Sequence, residues 1–144
     1  MYKGEYSHTI DAKGRIIVPA KLREQLGDDF VVTKGLDGCL WMFDAAEWEK
    51  VESAIRELPL TVPAARVLSR FIFAGAIDGE LDKQGRLLIP GNLREYAGLS
   101  KEVIFSGVGS RVEIWDKDKY DMAADSFENM DTVTQQLIEL GLKL

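Results

Sequence analysis

At 144 residues, 46% hydrophobic and 29% charged, the chain has the size of one globular domain with a sizeable core. No apolar run approaches the ~20 residues of a membrane-spanning helix, and Met1-Tyr2-Lys3-Gly4-Glu5 lacks the apolar stretch of a secretory signal. A net charge of −6 argues against a uniformly cationic nucleic-acid binder, and the single cysteine, Cys39, excludes an intrachain disulfide or a cysteine metal cluster, which agrees with a reducing cytoplasm.

In chain order, a short strand leads into Asp11-Ala12-Lys13-Gly14. In such a turn the Asp carboxylate bonds its own downstream backbone and the Gly supplies positive φ. The chain returns as the apolar strand Arg15–Val18. Pro19 stops that strand and suits the first turn of a short helix, with Leu22 and Leu26 on one face and Gly27 as its stop. A hairpin follows from strands Phe30–Thr33 and Cys39–Phe43, with Gly35 and Gly38 marking its turn. Cys39 reads as a small buried hydrophobe. Trp41 and Phe43, and later Trp115, have strand spacing and read as core or subunit interface. Asp44 with Glu47 three residues on resembles a capping box opening a helix towards Leu58. Leu58-Pro59-Leu60-Thr61-Val62-Pro63 is a bend, and a linking helix is expected over Ala64 to Ala74.

The pattern then begins again, 71 residues later (Asp11 to Asp82). Asp82-Lys83-Gln84-Gly85 repeats the turn, Arg86–Ile89 the apolar strand, Pro90 its stop, Leu93 and Ala97 the helix face, and Gly98 the helix end. After one inserted residue the match resumes, giving a second hairpin from Val103–Ser106 and Arg111–Trp115 around Gly107 and Gly109. From about Lys117 to Leu140 the chain reads as one or two acidic helices. A repeat this long organises the whole chain. Residues 1–58 form the first repeat, 59–75 the link, 76–130 the second repeat and 131–144 a tail. Two strand-rich halves of this size cannot each bury a core. Packed about a pseudo-two-fold axis they make one domain, expected to be a mixed β-barrel with helices: a β core, α+β by content.

Charge is unevenly spread. Residues 1–26 hold five cations against three anions, whereas residues 116–144 hold three lysines against seven acids and residues 44–58 two cations against five acids. The acid lies in the expected helices, which leaves room for a basic face at the turns.

Two Asp-x-x-x-Arg motifs, Asp11-Ala12-Lys13-Gly14-Arg15 and Asp82-Lys83-Gln84-Gly85-Arg86, each follow a strand and precede an apolar strand ending in proline. With the opening Gly4-Glu5-Tyr6-Ser7-His8-Thr9-Ile10, this closely resembles the MraZ family over essentially the whole chain. The resemblance implies tandem swapped-hairpin half-modules of the AbrB type and a homo-oligomeric closed ring. It also implies a cytoplasmic, nucleoid-associated regulator of the division and cell-wall gene cluster, binding short G-rich direct repeats in double-stranded DNA. No metal, cofactor or small-molecule substrate is implied.

On this reading Arg15 and Arg86 contact DNA, since a guanidinium donates two hydrogen bonds to guanine O6 and N7 or grips a phosphate. Lys13 and Lys83 suit phosphates, and Gln84 suits a base edge or a phosphate. Asp11, Gly14, Asp82 and Gly85 structure the turns. The competing structural reading pairs each arginine with a nearby carboxylate, and Arg23 and Arg94, beside Glu24 and Glu95, read as solvated or paired within the fold. Lys13 corresponds to Gln84, and Ala12 to Lys83, so the first copy is expected to make the stronger contacts. Three other classes fit less well. An aspartic protease needs paired carboxylates sharing a proton, but here lysine and arginine keep both ionised. The Asp-Thr/Ser-Gly signature, a P-loop and a second histidine are all absent. An AbrB-type antitoxin carries one motif per chain. A structural ring without a DNA role would account for the acidic charge alone.

Overall fold

The computed structural model describes residues 1–144. β1 (Tyr2–Thr9) leads into β2 (Arg15–Ile17), α1 (Ala20–Leu26) and the hairpin β3 (Phe30–Lys34) and β4 (Leu40–Asp44). α2 (Ala45–Arg56) and α3 (Pro63–Ala74) carry the chain to β5 (Ile77–Gly79), β6 (Arg86–Leu88), α4 (Gly91–Ala97), β7 (Glu102–Gly109) and β8 (Val112–Asp116). α5 (Lys117–Ala124), a 3-10 turn (Asp125–Asn129) and α6 (Met130–Glu139) end it. No helix is long and apolar enough to cross a membrane.

The strands form two antiparallel sheets, one six-stranded in the order β1-β7-β8-β4-β3-β5 and one two-stranded, β2-β6. The pairings cross between the halves. β1 lies on β7 with Tyr2 opposite Gly109 and Thr9 opposite Glu102, and β5 lies on β3. The expected barrel is therefore corrected to an open sheet in a mixed α+β fold, because β1 and β5 stay at opposite edges and never meet. The strands that follow those edges, β2 and β6, turn away and pair with one another as a second layer.

Between the layers lies one core of 18 buried residues. The ribbon contributes Ile16 and Leu87, with Val18 and Ile89 just beyond it. The large sheet contributes Val32, Leu40, Met42, Val103, Phe105, Val112 and Ile114, while α1 and α4 add Leu22, Leu26, Leu93 and Ala97. Each such aliphatic side chain stabilises the fold by about 1.5–3 kcal/mol relative to exposure. Each half contributes strands to both layers, and neither half completes either one.

The expected local signals appear at the ends of these elements. Asp44 caps α2, accepting the Glu47 amide at 2.9 Å, and also accepts the Tyr2 hydroxyl at 2.6 Å. Its counterpart Asp116 makes no such cap on α5 and instead accepts from the Ser100 hydroxyl at 3.2 Å. Cys39 is buried, and burial pushes its thiol up to about 12. Phe43 and Trp115 are buried as expected, and Trp41 lies under the Arg111 guanidinium, 4.5 Å from its ring centre.

Because the core is shared, the two halves should unfold together. Phe105→Ala, at a fully buried site, should lower stability by about 3–5 kcal/mol. In a urea titration, tryptophan fluorescence and far-ultraviolet circular dichroism should shift to the same lower midpoint; separate transitions would contradict a shared core.

Candidate nucleic-acid interface

The two Asp-x-x-Gly turns fold alike. The Asp11 amide donates to the Arg15 carbonyl at 2.9 Å and Gly14 donates back to the Asp11 carbonyl at 3.0 Å. The Asp82 amide to the Arg86 carbonyl and Gly85 to the Asp82 carbonyl repeat both bonds at the same lengths. One carboxylate oxygen of each aspartate accepts two further amides: Lys13 at 3.0 Å and Arg15 at 2.8 Å on Asp11, Gln84 and Arg86 at 2.9 Å on Asp82. The other oxygen accepts Nε of the following arginine, at 2.7 Å in both copies.

The aspartates cap their turns, and each also pairs with its own arginine. The pairing uses only the Nε edge, and no protein group bonds the terminal Nη atoms of Arg15 or Arg86. Amide donation from the arginine, then its guanidinium, holds each Asp carboxyl below the ordinary carboxylate range. Both stay anionic, as a positioning role requires.

The ribbon orients the arginines. Arg15 pairs with Leu88, Ile16 with Leu87, and Ile17 with Arg86. Residues opposite one another share a face, and successive residues alternate. Ile16 and Leu87 fill the buried face, so Arg15, Ile17, Arg86 and Leu88 share the outer one. Lys13, Lys83 and Gln84 are exposed on the turns.

Arg23 and Arg94 were not recognised as part of this region from the sequence, and the structure places both there. The Val18 amide donates to the Gly85 carbonyl at 3.1 Å, and Ile89 to Gly14 at 2.8 Å, so each strand end is tied to the opposite turn. One helical turn later, Arg23 of α1 lies over Gly85, and Arg94 of α4 over Gly14. A Cβ on Gly85 would fall 2.0 Å from an Arg23 terminal nitrogen, and one on Gly14 2.8 Å from Arg94 Nε. Both glycines also have positive φ, 76° and 88°, which favours glycine at each; at Gly14 the Ile89 carbonyl oxygen, 2.7 Å from a Cβ placed there, leaves no room for a side chain either. Carboxylate pairing is not found: neither arginine makes a salt bridge, and both Nε atoms are buried without a hydrogen-bond partner. The only sequence signal was their recurrence at matching places, because the glycine contact joins residues far apart in the chain.

Arg15, Arg23, Arg86, Arg94, Lys13 and Lys83 thus gather at the ribbon and its two turns. The largest cavity, about 710 Å³ and lined by residues such as Trp115, Tyr120 and Phe127, includes none of the turn residues.

Comparison with known proteins places the chain among relatives of the same length. The MraZ family model, described as "MraZ protein, putative antitoxin-like", matches twice, over residues 1–71 and 72–139. The chain is 49% identical over 143 residues to the protein named "Transcriptional regulator MraZ" from Thermoanaerobacter sp. (strain X514), covering 99% of this chain and all of the relative. It is 51% identical over 142 residues to the protein of that name from Lachnoclostridium phytofermentans, covering 99% of each. With the one from Caldanaerobacter subterraneus it shares 53% over 134 residues, 90% of this chain and 94% of the relative.

The depressed carboxyls set a pH expectation. A carboxyl whose folded pKa is lowered stabilises the folded turn above its unfolded value and loses that effect only as pH falls through the lower folded value. Asp11 and Asp82 should therefore titrate below 3.8, leaving the turns closed from neutral pH to pH 5. Carboxyl-carbon NMR titration checks this, and a midpoint at or above 3.8 for either residue would contradict it.

Proposed function

The chain belongs to the MraZ family, and from that premise we propose that it is a sequence-specific DNA-binding regulator of transcription. It acts on promoter DNA of the division and cell-wall gene cluster, at short G-rich direct repeats. The observation that carries the reading is the geometry of Arg15 and Arg86. Each guanidinium is anchored through Nε by a carboxylate that stays ionised, with its Nη edge on the outer face of a two-stranded ribbon. An arginine held this way loses less freedom on binding and presents two parallel donors, matching guanine O6 and N7 in the major groove. A two-stranded ribbon fits that groove.

Lys13, Lys83, Gln84, Arg23 and Arg94 surround the ribbon and supply contacts to phosphates, which position the protein without reading sequence. Two such sites within one ribbon touch few phosphates. Assembly into a closed homo-oligomeric ring would present the same ribbon to successive direct repeats, with a gain in avidity of ~10²–10⁴. The relatives' shared name, "Transcriptional regulator MraZ", supports a regulator over a purely structural ring or a toxin-binding partner.

The test is fluorescence anisotropy with the DNA upstream of the protein's own gene, across a salt series and against shuffled DNA. Wild type should prefer the upstream DNA, with affinity falling as salt rises. Arg15→Ala should weaken specific binding at least about five-fold, the low end for a bidentate base contact. Arg86→Ala should weaken it by less if the first copy dominates. No preference over shuffled DNA at low salt, from folded oligomer, would overturn the reading.

A further inference from the structure

The ribbon leaves two apolar side chains in the open. Ile17 is 44% exposed and Leu88 56%, while their neighbours Ile16 and Leu87 are 1% exposed. Their place is set by register. Ile17 stands opposite Arg86 and Leu88 opposite Arg15, so both lie on the arginine face. The four side chains form a small checker, with cations on one diagonal and aliphatic groups on the other. Two strand residues separate the arginine rungs, about 7 Å along the ribbon at ~3.4 Å per residue. Stacked bases are spaced ~3.4 Å along a strand, so the arginine rungs stand about two base steps apart, with one aliphatic group beside each arginine.

We propose that Ile17 and Leu88 form an apolar reading surface for the C5 methyl groups of thymines flanking the guanines held by Arg15 and Arg86. The inference rests on the DNA-binding reading above and adds a second specificity determinant to it. Charge argues for this occupant. A protein partner seated on this face would bury two guanidiniums whose Nη edges have no partner within the chain, at a desolvation cost no apolar contact of two side chains offsets. A major groove offers those same edges guanine and phosphate acceptors, with thymine methyls as the apolar feature beside them. The patch also follows the duplication. Position 17 in the first copy and position 88 in the second are equivalent, and each carries an aliphatic residue on the outer face.

The experiment compares two fragments of the upstream DNA identical in sequence, one amplified with dTTP and one with dUTP, so that they differ only in the thymine methyls. Wild type should bind the uracil fragment several-fold more weakly, about four-fold for each methyl contacted, the worth of one buried methyl-sized group. The double variant Ile17→Ala with Leu88→Ala should bind thymine DNA more weakly than wild type and no longer tell the fragments apart. Equal binding of wild type to both fragments would overturn the proposal while leaving the DNA-binding reading standing. So would a double variant that still discriminates, which would assign the effect to DNA shape, or one whose oligomeric size changes, which would assign the patch to a second copy of the chain. Failure of wild type to prefer the thymine fragment over shuffled DNA would overturn both. Because wild type alone is compared on two DNAs, the central comparison does not depend on the variant folding.

Discussion

The pairing of β2 with β6 is the constraint from which the rest follows. It has three rungs, too few for an isolated two-stranded ribbon to persist in water. What holds it is burial on one face, where Ile16 and Leu87 close over a core that the large sheet, α1 and α4 complete. A slip of one residue would turn both side chains outward and drive Arg15 and Arg86 into that core. The register is therefore enforced by hydrophobic burial, and the outward presentation of both arginines follows from it.

Electrostatics is organised around the same ribbon. Each turn aspartate accepts two backbone amides and one guanidinium edge, so its charge is neutralised within the turn and does not oppose an incoming anion as a free carboxylate would. Helix arginines from opposite halves then cross over the turn glycines, adding two cations whose recruitment requires both halves to be folded together. A chain of net charge −6 thereby concentrates positive groups on one small face, with much of its acid on α2 and the C-terminal helices. Net charge describes solubility and long-range repulsion; the local field at a ribbon is set by which side chains converge there.

The duplication preserves geometry more strictly than residue identity. The Asp–Arg contacts match at 2.7 Å in both copies, although Lys13 is replaced by Gln84 and Ala12 by Lys83. Turn backbones depend on Asp and Gly, which recur, whereas the intervening positions point to solvent and vary without cost to the fold. Within the two motifs, the differences between the copies are thus confined to these exposed positions. Asp44 and Asp116 show the converse: the same residue type caps α2 in one half and accepts from Ser100 in the other, because the helices that follow are not equivalent.

Much was determined by the sequence alone. Asp-x-x-Gly turns, strand-stopping prolines, the capping aspartate before α2 and the linking helix are local: their causes lie within a few residues, and they appear where the pattern predicts. The Asp-x-x-x-Arg motif shows the candidate site in the same way, since the carboxylate and the guanidinium it holds are four residues apart. The remainder is non-local. Strand periodicity marks which residues are buried but carries no information on which strand will be the neighbour. A barrel and an open sheet with a separate ribbon therefore satisfy the same pattern, and burial across the two halves selected the second. For the same reason Arg23 and Arg94 read as ordinary helix-surface arginines until pairing across the ribbon set each against the other half's glycine turn, with a buried Nε and no carboxylate paired to it.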